Sequence, residues 1–343
     1  MERRFSTSRE LLQFMKIGWN LGNTLDAPFG ETSWHNPVTT KEMIDKIKSA
    51  GFNLLRIPVS WHCHVGESPE YIIDKSFLQR VGEVVDYGID NDMAVIINIH
   101  HDDRMVCPTD EGHDESERYI KAIWTQLADH FGGYDQRLVF ECLNEPRMIR
   151  TSHEWHLDLR QEESQKAVAY LNGFNQLFVD AVRSSGKNNA MRYLMVSSYA
   201  ANPMYACMEE YRFPIDPSKR LIQSVHSYSP YNLCLNHQSD IAKFTEKDRI
   251  EVRRIMERLN KRFVSNGIDV IIGEIGILNK NNPDARKAWA SYFIGEAKKA
   301  GIVCVWWDNH NERSFGLLNR HSLKFHESAD AVLTGLFGGL ETK

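Results

Sequence analysis

The sequence predicts a single-domain α/β fold over residues 1–343, a closed (β/α)8 barrel of the TIM type, and three observations carry that expectation. Short apolar runs alternate with longer amphipathic segments along the whole chain, without a linker or a low-complexity stretch. Eight such runs are each followed by a helix or a helix-like piece, which suits a parallel closed barrel better than an open sheet. Polar, chemistry-bearing side chains gather where the runs end, and the active face of such a barrel lies at the C-terminal ends of its strands.

Taken in order, the strand-like runs fall at 16–22, 52–58, 93–99, 137–143, 191–197, 220–226, 268–274 and 302–307. Helical stretches lie between them near 39–50, 74–91, 114–131, 163–185, 246–265 and 283–300, with a shorter one near 203–211 and a terminal one near 324–336. Ala50-Gly51 and Ala300-Gly301 stand where a helix should stop and the next strand begin. Arg56 ends the second strand, His100-His101 the third, Asn144-Glu145 the fourth, His226 and Tyr228 the sixth, Glu274 the seventh and Trp307-Asp308 the eighth. A doubly wound sheet is the runner-up. It wants a glycine-rich first turn, and Gly18-Trp19-Asn20-Leu21-Gly22-Asn23 lacks the third glycine and the spacing.

Composition removes several classes of function. Lys plus Arg number 41 against 46 for Asp plus Glu, a net charge of −5, which argues against nucleic acid as a partner. No run approaches the roughly 18 apolar residues of a membrane span, so no membrane association is expected. Met1-Glu2-Arg3-Arg4-Phe5 has the charge of a signal peptide, but Ser6 to Glu10 is polar and no apolar stretch follows. Either the protein is cytoplasmic or a leader has been removed. The six cysteines form no CxxC pair, and Cys142 and Cys304 lie inside apolar runs, so neither a zinc site nor a disulfide framework is expected; one isolated bridge stays open. No nucleotide, flavin or phosphate signature appears, and no cofactor or metal is expected. Without a heptad or an exposed apolar stripe, the chain reads as a monomer.

Two carboxylates carry the chemistry. Glu145 follows Val139-Phe140-Glu141-Cys142-Leu143-Asn144, and Glu274 follows Val270-Ile271-Ile272-Gly273. A carboxylate at the mouth of an apolar strand is costly unless it is paired or used, and either residue alone reads as a solvated strand end or a partner for Arg56. Two of them on strands four and seven, across a barrel mouth, fit glycoside hydrolysis, where carboxyls about 5–5.5 Å apart give retention through a covalent intermediate. This reasoning leaves open which of the two is the nucleophile.

Asn144-Glu145-Pro146 and Ile272-Gly273-Glu274-Ile275-Gly276, in this order and framework, resemble glycoside hydrolase family 5 of the cellulase clan. Its endoglucanase and xyloglucanase branch, often numbered subfamily 4, is resembled by the stretch from Gly18 to Ala27 (Gly18-Trp19-Asn20-Leu21-Gly22-Asn23-Thr24-Leu25-Asp26-Ala27). Leu55-Arg56-Ile57-Pro58-Val59-Ser60-Trp61, Ile97-Asn98-Ile99-His100-His101 and Trp306-Trp307-Asp308-Asn309 look like the same branch, and the matches run from about residue 18 to 320. The resemblance implies a retaining, endo-acting β-1,4-glucanase (a cellulase) that acts outside the cell on β-glucan polysaccharide or oligosaccharide. Glu145 is then the general acid/base and Glu274 the nucleophile. Arg56 holds Glu274 ionised and Tyr228 donates to the same carboxylate; Asn144 bonds the sugar 2-hydroxyl and His226 orients or tunes the acid/base. Three positions depart from the family pattern: Ile275 replaces Phe, His35 stands in a Trp34-His35-Asn36-Pro37 stretch where Gly is usual, and His310 replaces Gly after Trp307-Asp308-Asn309.

The remaining candidates line the expected cleft. Residues alternate in direction along a strand, so if Asn98 points inward, His100 does too, and if Val303 and Val305 do, Trp307 follows as the platform beneath the reacting sugar while Trp306 faces the helices. His101 belongs to the loop or to a sugar contact. Asn23 and Trp34 complete the candidate substrate contacts, and Trp34, Trp61 and Trp155 are each either cleft wall or loop packing. Trp124 and Trp289 read as core. Within the same reaction class, xyloglucan, mixed-linkage glucan, xylan and mannan are rival substrates, and the loops that choose among them are not readable. A metal-dependent barrel hydrolase built on His100, His101 and His226 is the rival of a different class, and a catalytically dead glycan-binding barrel is a third.

Overall fold

The computed structural model describes residues 4–341, so Met1, Glu2 and Arg3 of the basic start lie outside the described residues. Eight parallel strands pair side by side in chain order and close on themselves: β1 (Ile17–Leu21), β2 (Leu54–Ile57), β3 (Ala94–Asn98), β4 (Leu138–Glu141), β5 (Leu194–Ser197), β6 (Leu221–Ser227), β7 (Asp269–Ile275) and β8 (Val303–Asp308). β8 returns to β1 with Asn20 opposite Trp307. Each of the eight apolar runs holds one of these strands.

Alternation along the strands builds two cores. Leu54, Ile96, Val139, Met195, Ile271 and Val305 point into the barrel, and the residues between them, such as Leu55, Ile97, Phe140, Ile272 and Trp306, pack against the helices. Val303 lies in the inner core with Val305, so the inward parity expected for Trp307 holds on β8.

The helices are α1 (Ser8–Met15), α2 (Lys41–Ser49), α3 (Lys75–Asp90), α4 (His113–His130), α5 (Glu162–Ser184), α6 (Pro203–Ala206), α7 (Tyr231–Cys234), α8 (Glu246–Arg262), α9 (Pro283–Lys299) and α10 (Ala329–Glu341). Their starts are set by side-chain caps. Thr40 accepts from Met43 N, Asp74 accepts from Phe77 N, and Thr245 and Asp248 form a reciprocal capping box. Gly51 and Gly301 follow the ends of α2 and α9 at φ +109 and +75, the left-handed turn that stops a helix.

Three expectations change. The polar start holds a helix: Thr7 caps α1, and Leu11, Leu12 and Met15 share one buried face that closes the bottom of the barrel against the inner core. Two turns are too short to show a clear period, which is why the sequence reads as merely polar there. The stretch at 203–211 is helical only over α6, because Cys207 ends it and the chain then runs outward before Tyr211 buries. The terminal helix begins at Ala329 rather than near 324. Lys324 and Phe325 instead pair with Asn319 and Leu318 in a two-residue antiparallel ladder, and Leu323 takes φ +55, a conformation incompatible with a helix.

Candidate active site

One layer below its mouth, the barrel interior turns from apolar to polar. Asn20, Arg56, Asn98, Glu141 and Ser224 hold inward positions near the ends of their strands, and all are buried. Arg56 is the hub. Its Nε donates to Glu141 Oε2 at 2.8 Å, its Nη1 to Asn20 Oδ1 at 3.0 Å and Glu274 Oε1 at 2.9 Å, and its Nη2 to Asn144 Oδ1 at 2.8 Å and toward His226 Nε2 at 3.5 Å, while Nη2 also lies 2.7 Å from Glu141 Oε2 as an ion pair. All five guanidinium N–H groups are thereby met, as a charge taken out of water requires. Burial works against the cation, but Glu141 and Glu274 outweigh it and hold the Arg56 pKa above its ordinary value.

Glu274 faces this hub because β7 carries one residue more than its neighbours. Ile272 pairs with Val225 and Cys304, whereas the next pairs are Glu274 with His226 and Ile275 with Trp306. The extra residue is Gly273, a bulge that turns Glu274 inward after Ile271 has already pointed inward. A methyl group on Gly273 would stand 3.2 Å from His226 Nε2 and 3.4 Å from Glu141 Oε1, so the bulge also lets those side chains pass beneath the strand. Tyr228 Oη donates to Glu274 Oε2 at 2.8 Å, which together with Arg56 gives each carboxylate oxygen a donor. Burial and the Glu274 charge push the Tyr228 phenol well above its usual pKa, so it stays a donor.

Glu145 follows β4 and meets His226 across the mouth. His226 Nδ1 is 2.8 Å from Glu145 Oε1 and 3.7 Å from Glu274 Oε2. A donor, Arg56 Nη2, faces the other ring nitrogen at 3.5 Å, so Nδ1 carries the hydrogen and donates to Glu145. Burial pushes the Glu145 carboxyl up, but the His226 hydrogen bond and the charges of His226, Arg147 and His101 outweigh it and leave the group below the usual carboxylate range. For His226, burial disfavours the cation while Glu274 and Glu145 favour it, and its pKa rises. One carboxylate oxygen of Glu145 and one of Glu274 lie within 4.8 Å of each other.

Six sequence-predicted residues thus come together: Arg56, Asn144, Glu145, His226, Tyr228 and Glu274. His100 and Trp307 form the adjoining wall, their rings parallel to within 1° at 5.8 Å. Farther out, Trp34 stands 40 % exposed with its ring 5.8 Å from that of His101. Asn23 stands apart: its hydrogen bonds run through the backbone, from its N–H to Asp26 Oδ2 and from Asn36 Nδ2 to its carbonyl. Trp61 is fully buried and donates to Asn98 O, whereas Trp155 is exposed beneath the Arg147 guanidinium. His35 and His310 take φ +65 and +68, which is the physical reason a glycine suits both positions.

The rival histidine trio does not form one cluster. His100 and His101 group with Asp26, whereas His226 groups with Glu145 and Glu274. Asn98 also fixes the His100 tautomer. Its Oδ1 accepts from Val59 N, so its Nδ2 is the group that faces Glu141 Oε2 at 2.9 Å and His100 Nδ1 at 3.1 Å. His100 Nδ1 is then an acceptor and Nε2 carries the hydrogen. Burial, followed by the charges of His101 and Arg56, pushes the His100 pKa well below its usual value, so the ring is neutral.

Sequence reasoning passed over Glu141, Asn20 and Ser224, and used Asn98 only to set the direction of His100. The signal was present in the alternation: counting in twos from Val139 reaches Glu141, and from Gly18 reaches Asn20. Residues 21–313 match the family model described as Cellulase (glycosyl hydrolase family 5). Endoglucanase B of Clostridium cellulovorans is 40 % identical over 325 residues, covering 92 % of this chain and 72 % of that protein. Among solved structures, a GH5 family lichenase from Caldicellulosiruptor sp. F32 is similar with a TM-score of 0.94 and 42 % identity, covering 99 % of this chain and 97 % of that one. A GH5-4 broad specificity endoglucanase from Ruminococcus champanellensis with bound cellotriose gives 0.91 and 41 %, covering 98 % and 99 %.

Proposed function

The chain belongs to glycosyl hydrolase family 5, the cellulases, and from that premise we propose that it is a retaining endo-β-1,4-glucanase with Glu274 as nucleophile and Glu145 as general acid/base. The observation that carries this reading is the spacing of the two carboxylates, whose oxygens approach within 4.8 Å. That approach suits the roughly 5–5.5 Å spacing of retaining enzymes better than the roughly 6.5–9.5 Å that makes room for an inverting water.

Glu274, its charge held by Arg56 and Tyr228, attacks the anomeric carbon while Glu145 protonates the departing glycosidic oxygen. Water then enters on the Glu145 side, loses its proton to Glu145 and displaces Glu274 from the sugar. Asn144 has its carbonyl oxygen occupied by Arg56, so its amide N–H is the group left to bond the sugar 2-hydroxyl. His100 offers an Nε2–H to a hydroxyl, and the Trp307 ring is the platform for the sugar face. His101, Trp34 and Asn23 serve the outer parts of the cleft. The chain works as one catalytic domain and a monomer, outside the cell, where polymeric glucan is found. Likeness to a lichenase favours mixed-linkage β-glucan as a second substrate.

Two variants test the assignment. Glu145→Ala should lose polysaccharide hydrolysis yet release an early burst of phenol from an aryl glycoside with an acidic phenol, with azide restoring turnover as a β-glycosyl azide. Glu274→Ala should show neither. The reverse pattern would exchange the two roles.

A further inference from the structure

We propose that Glu141, a buried carboxylate beneath the reacting pair, is a positioning residue that sets how strongly Arg56 holds the nucleophile. The proposal rests on the roles given to Glu145 and Glu274 above. Glu141 Oε2 accepts from Arg56 Nε and Asn98 Nδ2 at 2.8 and 2.9 Å and pairs with Arg56 Nη2 at 2.7 Å, and Glu141 Oε1 accepts from Ser224 Oγ at 2.6 Å. Both Glu141 and Arg56 are fully buried, so no water screens them.

One guanidinium therefore serves two carboxylates. Glu141 fixes the fork along its Nε–Nη2 edge, which leaves Nη1 aimed at Glu274. It also takes up part of the cation's attraction, so Glu274 is aimed by Arg56 without being so strongly held that it cannot attack. A nucleophile bound to an unshared cation would be weaker, because charge drawn toward the guanidinium is not available to the anomeric carbon. Through Asn98, the same carboxylate orients the amide that decides which nitrogen of His100 carries its hydrogen.

The groups facing Glu274 are Arg56 from β2, His226 and Tyr228 from β6 and its end, and Glu145 from the end of β4. Those facing Glu141 are Arg56, Asn98 from β3 and Ser224 from β6, with the neutral thiol of Cys142 next in the chain. Of all these, only Arg56 touches both carboxylates.

Glu141→Gln isolates the charge. A glutamine oxygen can keep the Arg56 and Asn98 bonds while its NH2 donates to Ser224, whose hydroxyl turns to accept. The pH dependence of kcat/KM is read on an aryl β-cellobioside with an acidic phenol, where the leaving group needs no proton and the acid limb reports the nucleophile. In Glu141→Gln the acid limb should move to lower pH by about one unit, with kcat/KM at the optimum about tenfold lower. Arg56→Ala should move the same limb the opposite way, because it removes the cation itself. An acid limb that stays put in Glu141→Gln, or rises, overturns the proposal and leaves Glu141 a structural residue. Should Glu141→Gln fail to fold, Glu141→Asp decides: withdrawing the charge by one methylene should lower the limb by less, and an unmoved limb overturns the proposal equally. If the wild-type protein releases no phenol at any pH, the underlying reading has failed instead.

Discussion

Glu145 and His226 share one short hydrogen bond, and its effect on the reaction has a definite sign. The bond lowers the Glu145 pKa, and burial alone would raise it. Glycosylation needs Glu145 protonated, so the basic limb of the pH–rate profile on polysaccharide reports loss of that proton. Removing His226 takes away the stabilisation of the ionised form, and Glu145 keeps its proton to higher pH. His226→Ala should therefore move the basic limb upward while lowering kcat by about tenfold or more; a downward shift in a pH titration of kcat/KM would mean that His226 holds Glu145 protonated instead. At this scale much was legible. The contacts of Arg56 and Tyr228 with Glu274 followed from charge and hydrogen-bond chemistry once the family framework placed those residues at the barrel mouth. Glu141 was not read because it lies inside a strand, where a single carboxylate looks like an interruption of an apolar run rather than the floor of a site.

Among the elements, the strands were legible because their apolar runs are bounded by polar ends and helix stops. The bulge in β7 was not. Strict alternation from Ile271 sends Glu274 outward to the helices, and only the slip at Gly273 turns it back, a backbone event that leaves no periodic mark. The last helix was placed too early for a related reason: Gly335, Gly338 and Gly339 make its body read as loop. Two of these are packing residues. A methyl group on Gly335 would come within 2.5 Å of Lys287 O, and one on Gly339 within 2.6 Å of Ser291 O, so α10 lies directly on the backbone of α9. Gly339→Val should cost about 1–3 kcal/mol by forcing these helices apart. Denaturant titration should show a lower midpoint while the activity of each folded molecule is unchanged; an unmoved midpoint would mean that α10 is dispensable.

For the molecule as a whole, two carboxylates and water complete the proposed reaction. Hydrolysis should accordingly persist in excess EDTA, and loss on chelation with recovery on adding a divalent ion would promote Asp26, His100 and His101 over the glutamates. A further consequence follows from α1, whose Leu11, Leu12 and Met15 stopper the lower end of the barrel. The polar layer around Arg56 is thereby shut off from the lower end, and it faces the mouth where Glu145 and Glu274 stand. Protons for Glu145, His226 and Glu274 accordingly come and go on the side from which the substrate arrives, so the traffic of hydrons and the entry of glucan share one doorway.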